Sequence, residues 1–550
     1  MRYYMRLSVM KIKPCRMKST PARNNPPITA LLAFLAAGMS SSMAQETSLP
    51  ELGSSAGELV TPAQEQQYGR YTLYQLRKMD YVLDDPLIDG WLQTMGHRLG
   101  ASSDNPKQPY TFFMMRDRQI NAFATLGGYI GMNAGLVLTA KSEDEVAGVI
   151  GHEISHVTQK HVIRSVERAK KDQIPIMLAA IGMIVAAQAA SDGNSADNAS
   201  MAAMVGSQAL MIQRQIDYTR SNESEADRIG IQTLYRSGYD PDALADFFAR
   251  MQSTGRGNSG GYRAPDYLST HPVTAIRISE ARDRAFKIQQ NRADLSLINK
   301  AGNNPLLPDF AQIDALDGGS GMVGIDFPWA KERLRVLSAP TPSLALFEYR
   351  RGIDGYERQL TDAQKYGMAL AFIENQLGES AESLLNGLVK THPDNLWIGI
   401  ARASAAQTLK NNTLARTRFE QLMVKFPNNR AVILAYAETL LKQNEKGSAL
   451  RAQEILRSLS NDSSEDVVFQ RSLGRAYELS GNTLRAAESF AEVSYLNGRV
   501  DDAINQLSAL MKNDDLDYYQ RARVEARIAE LRPISLELER QGIKAEQQGG

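Results

Sequence analysis

Cysteine is almost absent from the sequence, and neither sign of charge is in excess. Cys15 is the only thiol in the 550 residues, which leaves neither a disulfide framework nor a cysteine-ligated metal site. Lys plus Arg and Asp plus Glu both number 62. This balance gives no indication of a nucleic-acid partner, and we expect none. The length alone predicts about two to four domains.

Long apolar runs are also missing, including at the N-terminus. Residues 28–39 are apolar, follow a basic region without acidic residues, and precede the small-x-small pattern Ser42-Met43-Ala44. About ten apolar residues are too few to span a bilayer, which disfavours a membrane anchor. We predict that residues 1–44 are a secretory signal peptide. Its removal would take Cys15 with it, and a thiol-free exported chain fits the bacterial periplasm.

A second apolar run covers residues 174–190 and is shorter than the ~20 residues that a membrane-spanning helix needs. Two interpretations stay open. The run is a buried or hairpin-forming helix, or it is an apolar lip near an active site that touches the membrane or an unfolded client. A polar loop is expected over residues 191–200.

The motif that indicates a catalytic metal site is His152-Glu153-Ile154-Ser155-His156. It lies in a predicted helix that starts after Ser142 and runs to about residue 171. His152 and His156 are four residues apart and project from one helical face. Two imidazoles held in this way suit a zinc ion. Glu153 is turned by about 100° from His152, where it can act on a water without being a ligand.

A second helical segment carries three acidic residues. Glu223 and Asp227 are four apart and share a face, whereas Glu225 points away. A carboxylate from this face would complete a site of two histidines and one carboxylate with an open fourth position. Asp227 would orient a ligating imidazole through its free N–H group. The alternative is a solvated acidic start of a helix.

Two β-rich segments, 110–115 and 129–133, flank the pair Gly127-Gly128 and predict a small sheet or hairpin. Between them lie Asn121, Ala122 and Phe123. An edge strand at this place could pair with an extended substrate, main chain to main chain. Ordinary sheet core is the competing interpretation.

Together, His152-Glu153-x-x-His156, Glu223-x-x-x-Asp227 and the upstream Asn121-Ala122-Phe123-Ala124 resemble the HtpX/CAAX-prenyl-protease family of zinc metallopeptidases. The resemblance implies a zincin-like α+β domain of the gluzincin type that binds one Zn²⁺ per chain. It also implies that Glu223, rather than Glu225, is the third zinc ligand.

The soluble periplasmic branch of that family adds His271-Pro272, Arg277 and a C-terminal repeat domain, all of which have counterparts here. By this resemblance, His271 is a removable fourth ligand at the start of a helix whose first turn contains Pro272. Arg277 would steady the oxyanion of the reaction. The resemblance further implies a chaperone-like role, outer-membrane β-barrel proteins as clients, and the barrel-assembly machinery as partner.

The three remaining histidines, His97, His161 and His392, are interpreted as structural. If the motif helix continued, His161 would lie about 140° round from His156. We therefore expect His161 to face away from the metal, at the surface.

The C-terminal part of the sequence has a helical repeat. Pro393 and Pro427 are separated by one tetratricopeptide period, and Leu473-Gly474-x-x-Tyr477 followed by Ala486 and Phe490 matches the signature. Such repeats form a solenoid with a concave, partner-binding face. The predicted architecture is thus multidomain and mainly α: a metallopeptidase domain at 45–300, a linker at 301–345 with a short helix at 329–337, a tetratricopeptide domain at 346–535, and a disordered tail at 536–550.

Two functions follow from these patterns. The first is a periplasmic zinc endopeptidase in which Glu153 takes a proton from water and passes it to the leaving amine. The second is a non-catalytic periplasmic chaperone or scaffold in which zinc is a structural staple and the repeats bind the client.

Overall fold

A computed structural model describes residues 60–190, 194–257, 266–301, 324–354, 359–461, 463–514 and 516–540. The predicted signal peptide lies outside these ranges, as do residues 302–323 of the predicted linker and residues 541–550 of the predicted tail. Within the described ranges the fold is mainly helical with a three-stranded sheet, which confirms the predicted class at that level.

The N-terminal half surrounds the sheet with helices. Thr61 caps helix α1, and Asp85 caps α2 by accepting a hydrogen bond from the Ile88 amide. Helix α4 begins after Ser142, whose hydroxyl accepts from the Glu145 amide as the capping pattern predicts. The elements are α1 Pro62–Lys78, α2 Pro86–Ala101, β1 Thr111–Met115, β2 Ala122–Ala124, β3 Tyr129–Asn133, α3 Ala134–Thr139, α4 Glu143–Thr158, α5 His161–Ala190, α6 Asn194–Arg236, α7 Ala243–Gly257, α8 Asp266–Thr270 and α9 Ala275–Ala301.

The sheet has the strand order β1-β3-β2. Strand β3 is central, parallel to β1 and antiparallel to β2, with Phe123 opposite Gly131. The chain turns into β3 through Gly127 and Gly128, whose φ angles of 74° and 82° suit glycine. Strand β2 is therefore an edge strand, and it packs beside α4.

Helices α4 and α6 cross at very short distance, and glycine permits it. A Cβ on Gly230 would lie 3.0 Å from the amide nitrogen of His152, and one on Gly151 would lie 3.2 Å from the carbonyl oxygen of Gly230. Both contacts are tighter than ordinary van der Waals packing. The close crossing brings the two motif-bearing segments together.

The helical hairpin after the motif differs from expectation. Helix α4 ends at Thr158, and Lys160 has a φ of 52°, so α5 is a separate helix. The predicted loop at 191–200 is mostly wrong, because α6 already begins at Asn194 and continues unbroken for 43 residues. Residues 174–190 extend α5. Within the described ranges, none of the helices combines the length and apolar character needed to cross a bilayer.

The predicted linker is packed where the structure describes it. Helix α10, Phe327–Leu337, matches the expected short helix, but Phe327, Trp329 and Leu334 are buried in the main hydrophobic core. Helix α10 contacts α2 and α3 on one side and α12 on the other. The linker interpretation therefore fails over 327–345, because apolar side chains within it are buried between the two halves.

The C-terminal half consists of consecutive helices that pack on their neighbours. Helices α12, α14 and α16 each begin 34 residues after the one before, and the same holds for α13, α15 and α17. The final helix runs to Arg540, so residues 536–540 are helical rather than part of a tail. The elements are α11 Pro342–Asp354, α12 Asp362–Glu374, α13 Gly378–Thr391, α14 Leu396–Thr408, α15 Asn412–Lys425, α16 Arg430–Lys442, α17 Lys446–Leu456, α18 Val467–Ser480, α19 Thr483–Leu496, α20 Val500–Leu510 and α21 Tyr518–Arg540.

The two halves share their cores. The main cluster contains buried residues from both halves, the first being Leu83 and the last Ala476. Tyr74 of α1 packs edge-to-face on Tyr495 of α19, with ring centroids 5.3 Å apart. Helix α1 therefore joins the last helices of the chain to the N-terminal half.

Candidate metal centre

Four side chains from three segments meet at one point. His152 and His156 come from α4, Glu223 from α6, and His271 from the turn between α8 and α9. Nε2 of His152 lies 3.0 Å from Nε2 of His156 and 3.4 Å from Oε2 of Glu223. Nδ1 of His271 lies 3.0 Å from Oε1 of Glu223 and 3.4 Å from Nε2 of His152.

These spacings fit a tetrahedral metal ion. Donors at the corners of a tetrahedron with zinc–ligand distances of about 2.0–2.1 Å are about 3.3 Å apart. A fifth donor pair, Oε1 of Glu223 and Nε2 of His156, is separated by 3.5 Å. His152, Glu223 and His271 are buried, and His156 is half-buried. Buried nitrogen and oxygen donors at this spacing can hold a metal ion of the zinc type.

The acidic groups of the site favour positive charge. Burial alone would lower the pKa of His152, but its contacts with Asp227 and Glu223 outweigh burial and raise that pKa to about 10. Burial also opposes ionisation of Glu223, yet the imidazoles of His271 and His152 hold its pKa well below the ordinary value. A proton and a metal ion would therefore compete for the same place, and metal binding would release the proton.

Asp227 and Arg277 form a buried layer behind the donors. Oδ1 of Asp227 lies 3.0 Å from Nδ1 of His152. Arg277 donates to both oxygens of Asp227 at 2.8 and 2.7 Å, and its Nη1 lies 2.9 Å from Oε2 of Glu223. The expected oxyanion role of Arg277 does not match this geometry, because the guanidinium is directed at the carboxylates that support the donors.

The His271 side chain contacts two of the other three donors, Glu223 and His152. Its ring stacks on Tyr267 with centroids 4.7 Å apart, and its amide donates to the Tyr267 carbonyl at 2.7 Å. The expectation that His271 starts a helix is wrong. Thr274 caps α9, accepting at its hydroxyl from the Arg277 amide, so His271 and Pro272 lie in the turn before that helix. Residues 258–265, which precede α8, lie outside the described ranges.

Glu153 lies beside the donors but is not one of them. It is 1% exposed, and its Oε1 has no hydrogen-bond partner among the residues that the structure describes. That oxygen is 3.7 Å from Nε2 of His271. An unpartnered carboxylate oxygen next to a metal centre is available to a water or a substrate.

The prediction for His161 is wrong. The residue is 2% exposed, and its Nδ1 lies 2.9 Å from Nδ1 of His156. The expected 140° rotation assumed one continuous helix, whereas α4 ends at Thr158, Lys160 has a positive φ, and α5 starts with His161. Glu225 does point away from the donors, and it meets Nε2 of His161 at 3.1 Å.

The other expected residues lie outside the centre. Ala122 and Phe123 belong to edge strand β2, and Asn121 directly precedes it. His97 is exposed near the end of α2, and His392 follows α13, where it meets Asp362 at 3.0 Å.

Comparison with known proteins gives two kinds of match. The model of Peptidase family M48 matches residues 86–285, which include all four donors. A Vibrio cholerae protein assigned as a beta-barrel assembly-enhancing protease is 34% identical over 94% of this chain and 98% of its own length. The beta-barrel assembly-enhancing protease of Escherichia coli K12 is 30% identical over 88% of this chain and 91% of its own length. The metalloprotease LoiP of E. coli K12 is 29% identical over 35% of this chain and 69% of its own length.

Proposed function

The chain belongs to peptidase family M48 and is a metalloprotease, and from this we propose that it is a zinc-dependent endopeptidase of the periplasm. Its proposed task is quality control and assembly of outer-membrane β-barrel proteins, with a chaperone-like contribution. Membership in a family of proteases disfavours the alternative of a non-catalytic scaffold with a structural zinc.

The donor spacing is the observation that carries the proposal. His152, His156 and Glu223 form the two-histidine, one-carboxylate set that is typical of catalytic zinc sites, at mutual distances of 3.0 to 3.5 Å. When bound there, zinc acts as a Lewis acid that makes water a nucleophile near neutral pH. Asp227 would keep the His152 ring oriented for this task.

Glu153 is the proposed general base. Its Oε1 is buried and unpartnered, so it can accept the proton of the attacking water. The same carboxyl group would then deliver that proton to the nitrogen of the leaving amine. The water oxygen first forms its bond to the scissile carbonyl carbon as Glu153 takes the proton. The carbon–nitrogen bond breaks afterwards, when the nitrogen has received that proton and the amine leaves.

His271 is the proposed gate. Its ring lies where a fourth ligand would be, close to both Glu223 and Glu153. In this arrangement it competes with water and with substrate for the same space. The loop that carries His271 is held by its hydrogen bond to Tyr267, and the Tyr267 amide lies 3.3 Å from the carbonyl oxygen of Ile120. Movement of this loop would open the centre.

The proposed substrate site is edge strand β2. Residues Ala122 to Ala124 pair with β3 on one side only, and they lie beside the motif helix. An extended client segment could add to the free edge with its scissile bond near the metal. The names of the Vibrio and E. coli relatives support β-barrel proteins as the clients.

The C-terminal helices are the proposed docking module. Their 34-residue spacing is that of tetratricopeptide repeats, and a concave groove of such repeats would hold the barrel-assembly machinery. The same proposal includes a metallopeptidase domain over residues 45–300 and a repeat domain that starts at residue 346 and ends with the final helix at Arg540. It also includes a peripheral membrane contact by residues 174–190.

The direct test is zinc content and cleavage of unfolded casein by the purified chain from residue 45 onward. We expect one zinc ion per chain, loss of cleavage with a chelator, and recovery when zinc is added back. Cleavage that persists in the fully zinc-depleted protein would overturn the proposal. A strain lacking the protein should then show whether outer-membrane β-barrel proteins accumulate unassembled.

A further inference from the structure

A hydrogen-bonded series of three side chains leads away from the candidate metal centre on the side of His156. Nδ1 of His156 lies 2.9 Å from Nδ1 of His161, and Nε2 of His161 lies 3.1 Å from Oε2 of Glu225. Arg164 donates to the same oxygen of Glu225 at 3.0 Å. Each group therefore has a defined neighbour, and the series ends on an ion pair at the surface.

The position of the donors fixes the direction of these hydrogen bonds. His156 faces His152 and Glu223 with Nε2, so that nitrogen must be unprotonated when it binds a metal ion. Its proton is then on Nδ1, which donates to Nδ1 of His161. His161 carries its own proton on Nε2, where it donates to Glu225. One set of tautomers satisfies every atom in the series.

The backbone explains why His161 can reach this position. Lys160, with a φ of 52°, ends the path of α4, and α5 starts in a new direction with His161 as its first residue. The His156 and His161 rings meet edge-to-face with centroids 4.8 Å apart. Five residues of separation on a continuous helix would not give this contact.

We propose that His161 is a positioning residue that orients the metal ligand His156, and that Glu225 fixes the tautomer of His161 required for it. This inference rests on the proposed function, because it assumes that His156 binds a metal ion. The segment 223–227 then supplies a metal ligand in Glu223 and supports both histidine ligands, His152 through Asp227 and His156 through Glu225 and His161.

The test compares two substitutions with opposite hydrogen-bonding chemistry. In His161→Phe, the ring still fills the space but accepts no hydrogen bond from His156. In His161→Asn, the amide oxygen can take the place of Nδ1 as acceptor. The affinity of the chain for zinc alone would be measured by competition with a chromophoric chelator, and the absorption spectrum of the cobalt-substituted protein would report the ligand geometry.

We expect His161→Phe to weaken zinc binding by about 10- to 100-fold and to change the cobalt spectrum. His161→Asn should stay within a few-fold of the parent chain. Equal affinity of all three proteins, or equal losses in both variants, would overturn the proposal, since acceptance of the hydrogen bond would then not matter.

Two controls separate this proposal from others. Glu225→Ala removes the acceptor of His161 at a partly exposed residue, so it tests the hydrogen-bonded series even if His161→Phe fails to fold. We expect an affinity loss smaller than that of His161→Phe, and no loss would count against the role of Glu225. If the unsubstituted chain binds no zinc, the proposed function itself fails. If it binds zinc and the variants match it, only the role of His161 fails.

Discussion

Oδ1 of Asp227 lies 3.0 Å from Nδ1 of His152, and Arg277 donates to the same carboxylate from the other side. The imidazole, the carboxylate and the guanidinium are all buried. Asp227 therefore connects the His152 ring to a buried ion pair and, under the proposed function, would fix the orientation of a metal ligand.

Asp227→Asn should lower zinc affinity by about 10- to 100-fold, because the amide cannot supply the negative charge that orients His152 and neutralises Arg277. The measurement is a zinc titration against a competing chelator. Asp246→Asn is the matched control, since the Asp246 side chain is 60% exposed and pairs with Arg282 at 3.5 Å. Equal affinities in the two variants would contradict the link.

Glu153→Gln should keep one zinc ion per chain and reduce the rate of casein cleavage by about 10²- to 10⁴-fold, because glutamine cannot accept the proton of water. Zinc content and cleavage rate would be measured on the same preparation. Glu280→Gln, at a half-exposed carboxylate that pairs with Arg284, should leave both unchanged. Retained cleavage in Glu153→Gln would remove Glu153 from the mechanism.

His271→Ala should raise casein cleavage by about tenfold, the gain expected if the closed arrangement is populated about nine times in ten. Zinc content should remain near one ion per chain, because three donors stay in place. His97→Ala, at an exposed histidine of α2, serves as control and should change nothing. An unchanged or lower rate in His271→Ala would refute the gate.

Asp85→Ala should lower the free energy of unfolding by about 3–5 kcal/mol, because it leaves Arg333 without its buried partner. Asp85 caps α2 and accepts two hydrogen bonds from Arg333 of α10, at 2.7 and 2.5 Å. Urea denaturation would measure the change. The control Asp104→Ala breaks the exposed ion pair with Arg236, and it should lower the free energy of unfolding by less than about 1 kcal/mol. Similar losses of stability in the two variants would show that α10 does not join the halves through this pair.

The parts of the site that lie on uninterrupted helices could be predicted from sequence. His152 and His156 are four residues apart on α4, and Glu223 and Asp227 are four apart on α6, so helical periodicity alone gives their common faces. The capping residue Ser142 and the short strands around Gly127-Gly128 were predictable for similar local reasons.

The predictions that failed concern a break between two helices and the burial of a segment. Hydrophobic periodicity in the sequence shows neither of these. The positive φ of Lys160 breaks the helix, and the next helix places His161 beside His156. A lysine gives no sequence signal for such a break. Likewise, the segment 301–345 is predicted as a linker, while the buried contacts of Phe327 and Trp329 within it come from distant helices.

The crossing of α4 and α6 at Gly151 and Gly230 has a consequence for the whole centre. With no side chain on either glycine, the two backbones come so near that an added Cβ would meet the opposite backbone at 3.0 to 3.2 Å. A methyl group at either position would push the two helices apart by a few tenths of an ångström. Because α4 carries His152 and His156 and α6 carries Glu223, the same displacement would widen the spacing of the candidate donors.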